Sequence, residues 1–400
     1  MAEEDRTTSQ GSVRASNPGS QSALRHRNQQ RIVEQLLGSG PSTQAELSRF
    51  TGLSTATVSN IVKSMARTGL VSTSPITSSG RRALAVTLNG DGALAVGIDF
   101  GRSHLRVVLA TMAYHVVAER AVPLPLGHHA SEGIRTASAL LDELVAEAGV
   151  SRSALIGAGA GIPGPIDSRS GKVIQGAILP EWVGINLAGQ LERALKIPTF
   201  VDNDANLGAL AQVTWGPHSA VGNLMFLKIG SGIGAGLILN GSLYYGSIGV
   251  TGEIGHATIA EHGLICRCGN RGCLETVAST AIMIELLSRG RGTPITTADI
   301  VRQALARDSA TLRVIDDAGL AIGRAVANVA NLINPEVMVV GGPLAELGDL
   351  LLEPVRRGLM RHAVPIIGES TTLAMSSLGD RAEALGAAAL VFQNEGMPHS

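Results

Sequence analysis

All three cysteines of this 400-residue chain fall within the run Gly263-Leu-Ile-Cys-Arg-Cys-Gly-Asn-Arg-Gly-Cys-Leu-Glu275. An odd number of thiols, two of them one residue apart, makes a poor disulfide framework. His256 stands ten residues before the first of them. Together His256, Cys266, Cys268 and Cys273 form a Cys₃His set, the composition of a closed tetrahedral structural zinc site. Gly269 and Gly272 let the chain turn tightly around such an ion. A redox dithiol is the competing reading, and it would need exposed, paired thiols. Glu253 and Glu275 bracket the ligands. A metal pinning this loop would therefore fix two carboxylates and the second imidazole nitrogen of His256, good partners for a polyol's hydroxyls. The metal is expected to organise a ligand pocket rather than to activate water.

A second cluster lies at Val201-Asp-Asn-Asp-Ala-Asn206, where an apolar run delivers two carboxylates and two amides to the start of a helix. One aspartate could simply be the N-cap, favourably placed at the positive helix end. Asp204 could instead accept a proton from a substrate hydroxyl, with Asn203 and Asn206 orienting it. Both readings stand at this level. Three glycine turns follow apolar strands: Asp99-Phe-Gly101-Arg102-Ser103, Gly230-Ser231-Gly232-Ile-Gly234-Ala-Gly236, and Gly341-Gly342-Pro343. Glycines expose backbone N–H groups and permit close approach, so Asp99, Gly101, Ser103, Gly230, Ser231, Gly232, Gly234, Gly341 and Gly342 are candidate nucleotide contacts. Each turn alone also suits an ordinary hairpin.

The elements that must position these groups are mixed. A strand–turn–strand unit at residue 93 recurs at 223, which suggests two related lobes. Helical runs at 134–148, 187–195, 205–213 and 313–334 alternate with strands, an α/β pattern. The front of the chain differs. In 28–37, Ile32, Val33, Leu36 and Leu37 share one helical face. Thr43-Gln-Ala-Glu46 has the form of a capping box opening a helix through Phe50. A turn at Thr51-Gly52-Leu53 leads to a third helix capped by Ser54, with Val58, Ile61, Val62 and Met65 inward. Thr55, Thr57, Ser59, Asn60 and Lys63 remain outside. Small hydroxyl and amide groups on such a helix suit the edges of bases in the DNA major groove. Lys63 and Arg67 suit phosphates. Strands at 70–76 and 83–89 then form a wing with Arg81 and Arg82 at its tip, placed for phosphate or minor-groove contact.

Charge supports this division. Residues 1–90 carry ten Lys/Arg against five Asp/Glu, and the remainder carries 22 against 28. A basic front on an acidic body is expected where the front meets nucleic acid. Residues 1–22 read as a disordered polar tail without a secretory core. No run of eighteen apolar residues would span a membrane, and a cytoplasmic location without membrane partners is expected.

These motifs together resemble the ROK family of repressors and sugar kinases. Gly252-Glu253-x-Gly255-His256 followed by Cys266-x-Cys268-Gly-x-x-Gly272-Cys273-x-Glu275 is similar to the family's zinc signature. Val201–Asn206 and Gly161-Ile-Pro-Gly-Pro-Ile-Asp167 also match family motifs. The resemblance covers residues 28–394. It implies a two-lobed, actin-like (ribonuclease H-like) α/β ATPase fold behind a winged helix-turn-helix that marks the regulators. The expected organisation is a tail at 1–22, a winged helix at 23–90 and a sugar-binding domain at 91–400. Lobe one would take about 91–204 plus the C-terminal helix, and lobe two about 205–380. In the family's kinases the residue matching Asp204 is the catalytic base. Those matching Asn203, Glu253, His256 and Glu275 hold sugar hydroxyls.

The nucleotide side departs from the family pattern. Arg102 stands where the kinases carry glycine, Ala235 interrupts the second glycine run, and Pro343 removes an N–H donor from the third turn. A whole sugar pocket beside an altered nucleotide pocket points to a sugar-responsive transcriptional regulator, a repressor of carbohydrate genes. Its partners would be a sugar effector, an inverted-repeat operator and further copies of itself as a dimer or tetramer. The alternative is an ATP- and Mg²⁺-dependent hexose kinase using Asp204 as base.

Overall fold

The computed structural model describes residues 28–394, apart from 30, 34, 37–38, 68–69, 79–80, 90–92, 113, 168–170 and 175–177. The tail at 1–22, Leu37 and the wing tip at 79–80 lie outside the described residues.

Local sequence signals set the N-terminal domain. Ile32, Val33 and Leu36 are buried on a helical segment. The next helix, Gln44–Thr51, opens on a reciprocal capping box. Thr43 Oγ1 accepts from the Glu46 N–H at 3.2 Å, and Glu46 Oε2 accepts from the Thr43 N–H at 2.8 Å. That arrangement satisfies two otherwise orphaned donors. Gly52 ends the helix at φ 67°, the left-handed region glycine adopts without strain. The third helix, Thr55–Arg67, begins where Ser54 Oγ accepts from the Thr57 N–H at 3.1 Å. Strands β1 (Ser42–Thr43), β2 (Val71–Ser78) and β3 (Arg81–Leu88) form a sheet in the order β1-β3-β2. The wing is longer than the sequence suggests. Ser78 pairs with Arg81, so Arg81 and Arg82 are strand residues beside the tip rather than loop residues. Antiparallel pairing carried the ladder two residues further on each side than the apolar pattern did. Their side chains lie outside what the structure describes.

The body contains two sheets of the same plan. In the first, β4 (Leu94–Phe100), β5 (His104–Thr111), β6 (Val116–Pro123), β7 (Leu155–Ile162) and β8 (Thr199–Asn203) take the order β6-β5-β4-β7-β8. The second runs β11-β10-β9-β12-β13, from β9 (Leu224–Ile229), β10 (Ile233–Leu239), β11 (Ser242–Leu243), β12 (Val337–Gly341) and β13 (Thr372–Met375). In each, an antiparallel meander continues into two parallel strands. The recurring strand–turn–strand units of the sequence are the matching hairpins β4–β5 and β9–β10. The helical runs read from the sequence begin up to four residues earlier in the structure, as Ala130–Glu147, Leu187–Leu195, Asp204–Thr214 and Ser309–Ile333.

Alternation along β4 decides what packs where. Val96, Ile98 and Phe100 enter a core with Leu140, Leu141 and Leu187 from the covering helices. Ala95 and Gly97 face the other way, toward the C-terminal helix Ala382–Asn394. A methyl added at Gly97 would overlap the Ala384 carbonyl, and one at Gly159 the Ala387 carbonyl. On the opposite side of that helix, a methyl at Gly386 would overlap the Leu207 carbonyl of Asp204–Thr214. The two helices therefore lie between the sheets at near-backbone contact. Because the Ala387 backbone cannot retreat without disturbing both helices, Gly159→Val is expected to destabilise the chain by about 3 kcal/mol or more. Thermal unfolding checks this, and an unchanged Tm would contradict the packing described.

A candidate ligand cleft and its metal-binding loop

Between the sheets opens a cleft of about 890 Å³. Its walls include Asn203, Asp204, Glu253, His256 and Glu275, so every residue expected at a sugar is brought together. Asp99, Gly101, Ser103, Gly230, Ser231, Gly232, Gly234 and Gly342 line the same cleft. Gly341 does not. It lies in β12, where a Cβ would strike the Phe226 ring, so it serves packing against β9. Ala235 is buried in β10 away from the lining, whereas Arg102 and Pro343 both reach it.

The Asp-Asn-Asp cluster divides its labour differently from the sequence reading. The N-cap of Asp204–Thr214 is Asn203, not an aspartate. Its Oδ1 accepts from the Ala205 and Asn206 N–H groups, while its Nδ2 donates to the Gly164 carbonyl at 3.0 Å. Asn206 does not orient Asp204. Its Nδ2 donates to Asp202 at 2.9 Å, and the Tyr245 hydroxyl donates to the same carboxylate at 2.8 Å. Burial raises Asp202 above the usual carboxylate range. Asp202 thus ties β8 to the second lobe, and of the two aspartates only Asp204 lines the cleft.

Asp204 is not free. One oxygen accepts from the Ala205 N–H and the other from Lys228 Nζ, both at 2.9 Å. Lys228 also stands 3.0 Å from Glu383 of the C-terminal helix. Burial works against the ammonium, but Asp204, Glu383 and Asp99 outweigh it and hold its pKa well above the ordinary value. Burial raises Glu383 in turn. Asp99 pairs with His104 at 3.0 Å, and its other oxygen is buried with no hydrogen-bond partner among the described residues. Across the cleft, Glu275 accepts from the Ile233 N–H and from Arg267, both at 2.8 Å. Partial desolvation at the cleft wall raises Glu253, although its side chain stays 40% exposed. Lys228, His104, Arg267 and Glu383 were not singled out from the sequence. The signal for two of them was present: Lys228 interrupts the apolar strand LMFLKI and Glu383 the run AEALGAAALVF. A charge inside a buried run must find a partner.

The candidate metal ligands also converge. The ligand atoms of His256, Cys266, Cys268 and Cys273 all lie within 4.8 Å of one another. His256 Nδ1 is 3.6 Å from Cys266 Sγ, and Cys268 Sγ is 3.7 Å from Cys273 Sγ. A tetrahedral ion with bonds of about 2.3 Å to sulfur and about 2.0–2.1 Å to nitrogen requires separations of roughly 3.6 and 3.8 Å. His256 Nε2 is left facing Glu253, 3.7 Å from its carboxylate. The loop therefore supplies a four-ligand metal-binding group whose outer edge is the cleft wall.

At the other end of the chain, Ser54, Thr55, Asn60, Lys63 and Arg67 are exposed, and Thr57 and Ser59 are partly so. The expected DNA-facing surface is open along the whole helix.

A winged helix in front of a two-lobed α/β body with a polar interlobe cleft defines the class. The chain matches the ROK family over residues 95–394, and it belongs to that family. Residues 26–82 match the MarR family, in keeping with a winged helix-turn-helix. A putative xylose repressor of Caldicellulosiruptor sp. (strain Rt8B.4) is 29% identical, covering 94% of this chain and 98% of that protein. A glucokinase of Halalkalibacterium halodurans is 33% identical over 75% of this chain and 95% of its own length. The Escherichia coli (strain K12) DNA-binding transcriptional dual regulator NagC is 28% identical, covering 90% of each. Among solved structures, a ROK family transcriptional regulator homologous to the E. coli MLC protein superposes with a TM-score of 0.76 at 26% identity, covering 94% of this chain and 97% of that one. A Streptomyces griseus ROK family glucokinase shares the fold of the body, with a TM-score of 0.68 at 24% identity over 76% of this chain and all of its own.

The Asp99 hydrogen bond raises the His104 pKa against the effect of burial. A raised imidazole pKa gives a contribution present in acid and lost as pH rises through the folded-state value. His104 is thus expected to titrate above the ordinary ~6.5. Asp99→Asn should bring it down, as an NMR titration of the ring protons would show.

Proposed function

We propose that the chain is a sugar-responsive, DNA-binding transcriptional regulator, a repressor of carbohydrate uptake or catabolism genes. The observation that carries this reading is the open polar face of Thr55–Arg67, borne on a core continuous with the cleft domain. Val58, Ile61 and Met65 share one apolar cluster with Ala95, Val108, Ala388 and Phe392. Regulators named for xylose and N-acetylglucosamine repression match 94% and 90% of the chain, whereas the glucokinase matches 75% of it.

In this reading Ser54, Thr55, Thr57, Ser59 and Asn60 meet base edges, and Lys63, Arg81 and Arg82 meet phosphates. Two copies would present two reading helices to an inverted repeat. Asn203, Asp204, Glu253, His256 and Glu275 would hold the hydroxyls of the effector. A sugar changes DNA affinity only by binding one arrangement of the lobes better than another. No helix among the described residues is long and apolar enough to cross a membrane, and a cytoplasmic site of action fits this role.

Selection from random double-stranded DNA, followed by fluorescence anisotropy with a panel of sugars, tests the assignment. An inverted repeat should be recovered, and at least one sugar should shift its affinity. Lys63→Ala should weaken binding to all sequences and reduce the salt slope by about one. Glu253→Gln should abolish the sugar response and leave DNA binding intact. DNA affinity indifferent to Lys63 and Asn60 would end this reading. The glucokinase relative and the glycine turns in the cleft favour phosphoryl transfer as the second reading; ADP release dependent on hexose and Asp204 would establish it.

The loop is proposed to hold one structural zinc. Its ligand spacings fit a tetrahedral ion, and burial pushes the Cys273 thiol up to about 12 when no metal is bound. Binding must therefore displace a proton, and affinity should fall with falling pH. Purified protein should contain about one zinc per chain. Cys273→Ser should lose it, lower the Tm and weaken sugar binding, as metal analysis and calorimetry would record.

A further inference from the structure

Lys228 has no place in the pattern of residues expected at a sugar or at a nucleotide, yet it sits at the centre of the cleft's charge. It reaches Asp204 at 2.9 Å and Glu383 at 3.0 Å, with Asp99 acting on it electrostatically. These carboxylates come from separate elements: β4, the start of Asp204–Thr214 and the start of Ala382–Asn394. All of them are more than nine-tenths buried, with exposures of 1% for Asp99, 8% for Asp204 and 3% for Glu383. Asp204 and Glu383 meet at the one ammonium, and buried carboxylates gathered on one cation are the oxygen donors a hard divalent ion such as Mg²⁺ or Mn²⁺ takes. Left uncompensated they would repel one another at low dielectric. One Asp99 oxygen is buried with no hydrogen-bond partner among the described residues, and Asp99 itself lies outside ion-pair distance of the ammonium.

We propose that Lys228 is a resident cation that replaces a divalent metal in this cleft, holding Asp204 and Glu383 and leaving a binding site that works without Mg²⁺. The ammonium differs from a metal ion in one decisive respect. It is tethered to β9 and cannot arrive with a nucleotide or leave with a product. It also takes the Asp204 oxygen that a sugar hydroxyl would need as proton acceptor, and the other oxygen already accepts from the Ala205 N–H. A sugar can then accept from Lys228 or donate to the remaining lone pairs of Asp204, but proton abstraction would require breaking a buried ion pair. The consequence for the sugar rests on the pocket reading given above; the occupancy of the carboxylate cluster does not.

The test uses the full-length chain with its zinc loop intact and Mn²⁺ as the probe, read by electron paramagnetic resonance and calorimetry. The native protein should retain no Mn²⁺ in the cleft at millimolar concentration. Lys228→Ala should bind one Mn²⁺ per chain at least about tenfold more tightly than native protein, and adding Asp204→Asn should abolish that binding. Lys228→Arg keeps the charge and should bind none. Should Lys228→Ala fail to fold, Lys228→Ala/Glu383→Gln leaves the buried net charge unchanged, and Mn²⁺ uptake through Asp99 and Asp204 is expected of it. Mn²⁺ bound by native protein and lost with Asp204→Asn would overturn the proposal, as would a folded Lys228 variant that gains no Mn²⁺. DNA binding is measured in separate titrations, so its failure is distinguishable from failure here.

Discussion

The backbone contact between the C-terminal helix and the first sheet is the constraint on which the remaining architecture depends. Gly97 and Gly159 admit the helix on one side, and Gly386 admits the interlobe helix on the other. At this separation neither helix can rotate without driving a carbonyl into a neighbouring backbone. The contact therefore fixes Glu383, at the helix start, opposite Lys228. It also fixes Ala384, Ala388, Val391 and Phe392, which share an apolar cluster with the DNA-reading domain. One short helix thus has its first turn in the ligand cleft and its outer residues against the front of the molecule.

How legible this was in the sequence depends on the range of the interaction. The Thr43 capping box, the Ser54 cap and the Cys₃His spacing are local, so residue types a few positions apart were enough to find them. That Asn203, Asp204, Glu253, His256 and Glu275 meet at one cleft was also legible, because Glu253, His256 and Glu275 flank or belong to the His/Cys cluster and Asn203 and Asp204 share one helix start. Within that helix start the reading went astray. Asp202, Asn203, Asp204 and Asn206 have similar chemistry, and only the neighbours contributed by Tyr245, Gly164 and Lys228 decide which one caps, which braces and which faces ligand. The Lys228 pairings with Asp204 and Glu383 join residues 24 and 155 positions away, beyond the reach of any periodicity. The wing erred for a related reason: a two-stranded ladder extends as far as backbone pairing allows, whatever the side-chain pattern.

The His/Cys loop and the Lys228 charge cluster both line the cleft and would hold it by different means. On the loop side, a bound ion would hold His256 by Nδ1 and aim its Nε2 edge toward Glu253, while Arg267, between Cys266 and Cys268, holds Glu275 against the Ile233 N–H. With an ion bound, that wall would be set by coordination geometry, which tolerates little displacement. On the other wall the positions are set by ion pairs among buried groups, and these respond strongly to any new charge or hydrogen bond.

That asymmetry bears on how binding in the cleft could reach DNA. Under the proposed function, a ligand held by the loop wall would present its hydroxyls to Asp204 and so compete with Lys228. Any weakening of the Lys228–Asp204 pair shifts the balance toward Glu383, which belongs to the helix shared with the DNA-reading domain. The energy available is the difference between two arrangements of the same buried charges, and a few kcal/mol of difference is enough to exchange their populations. Proximity alone does not establish such coupling. It requires that the helix have two positions, and the close glycine contacts on both of its sides limit how far any second position can depart from the first. What the structure supplies is the physical connection: Glu383 in the cleft and Phe392 in the apolar cluster shared with the front domain stand on one helix.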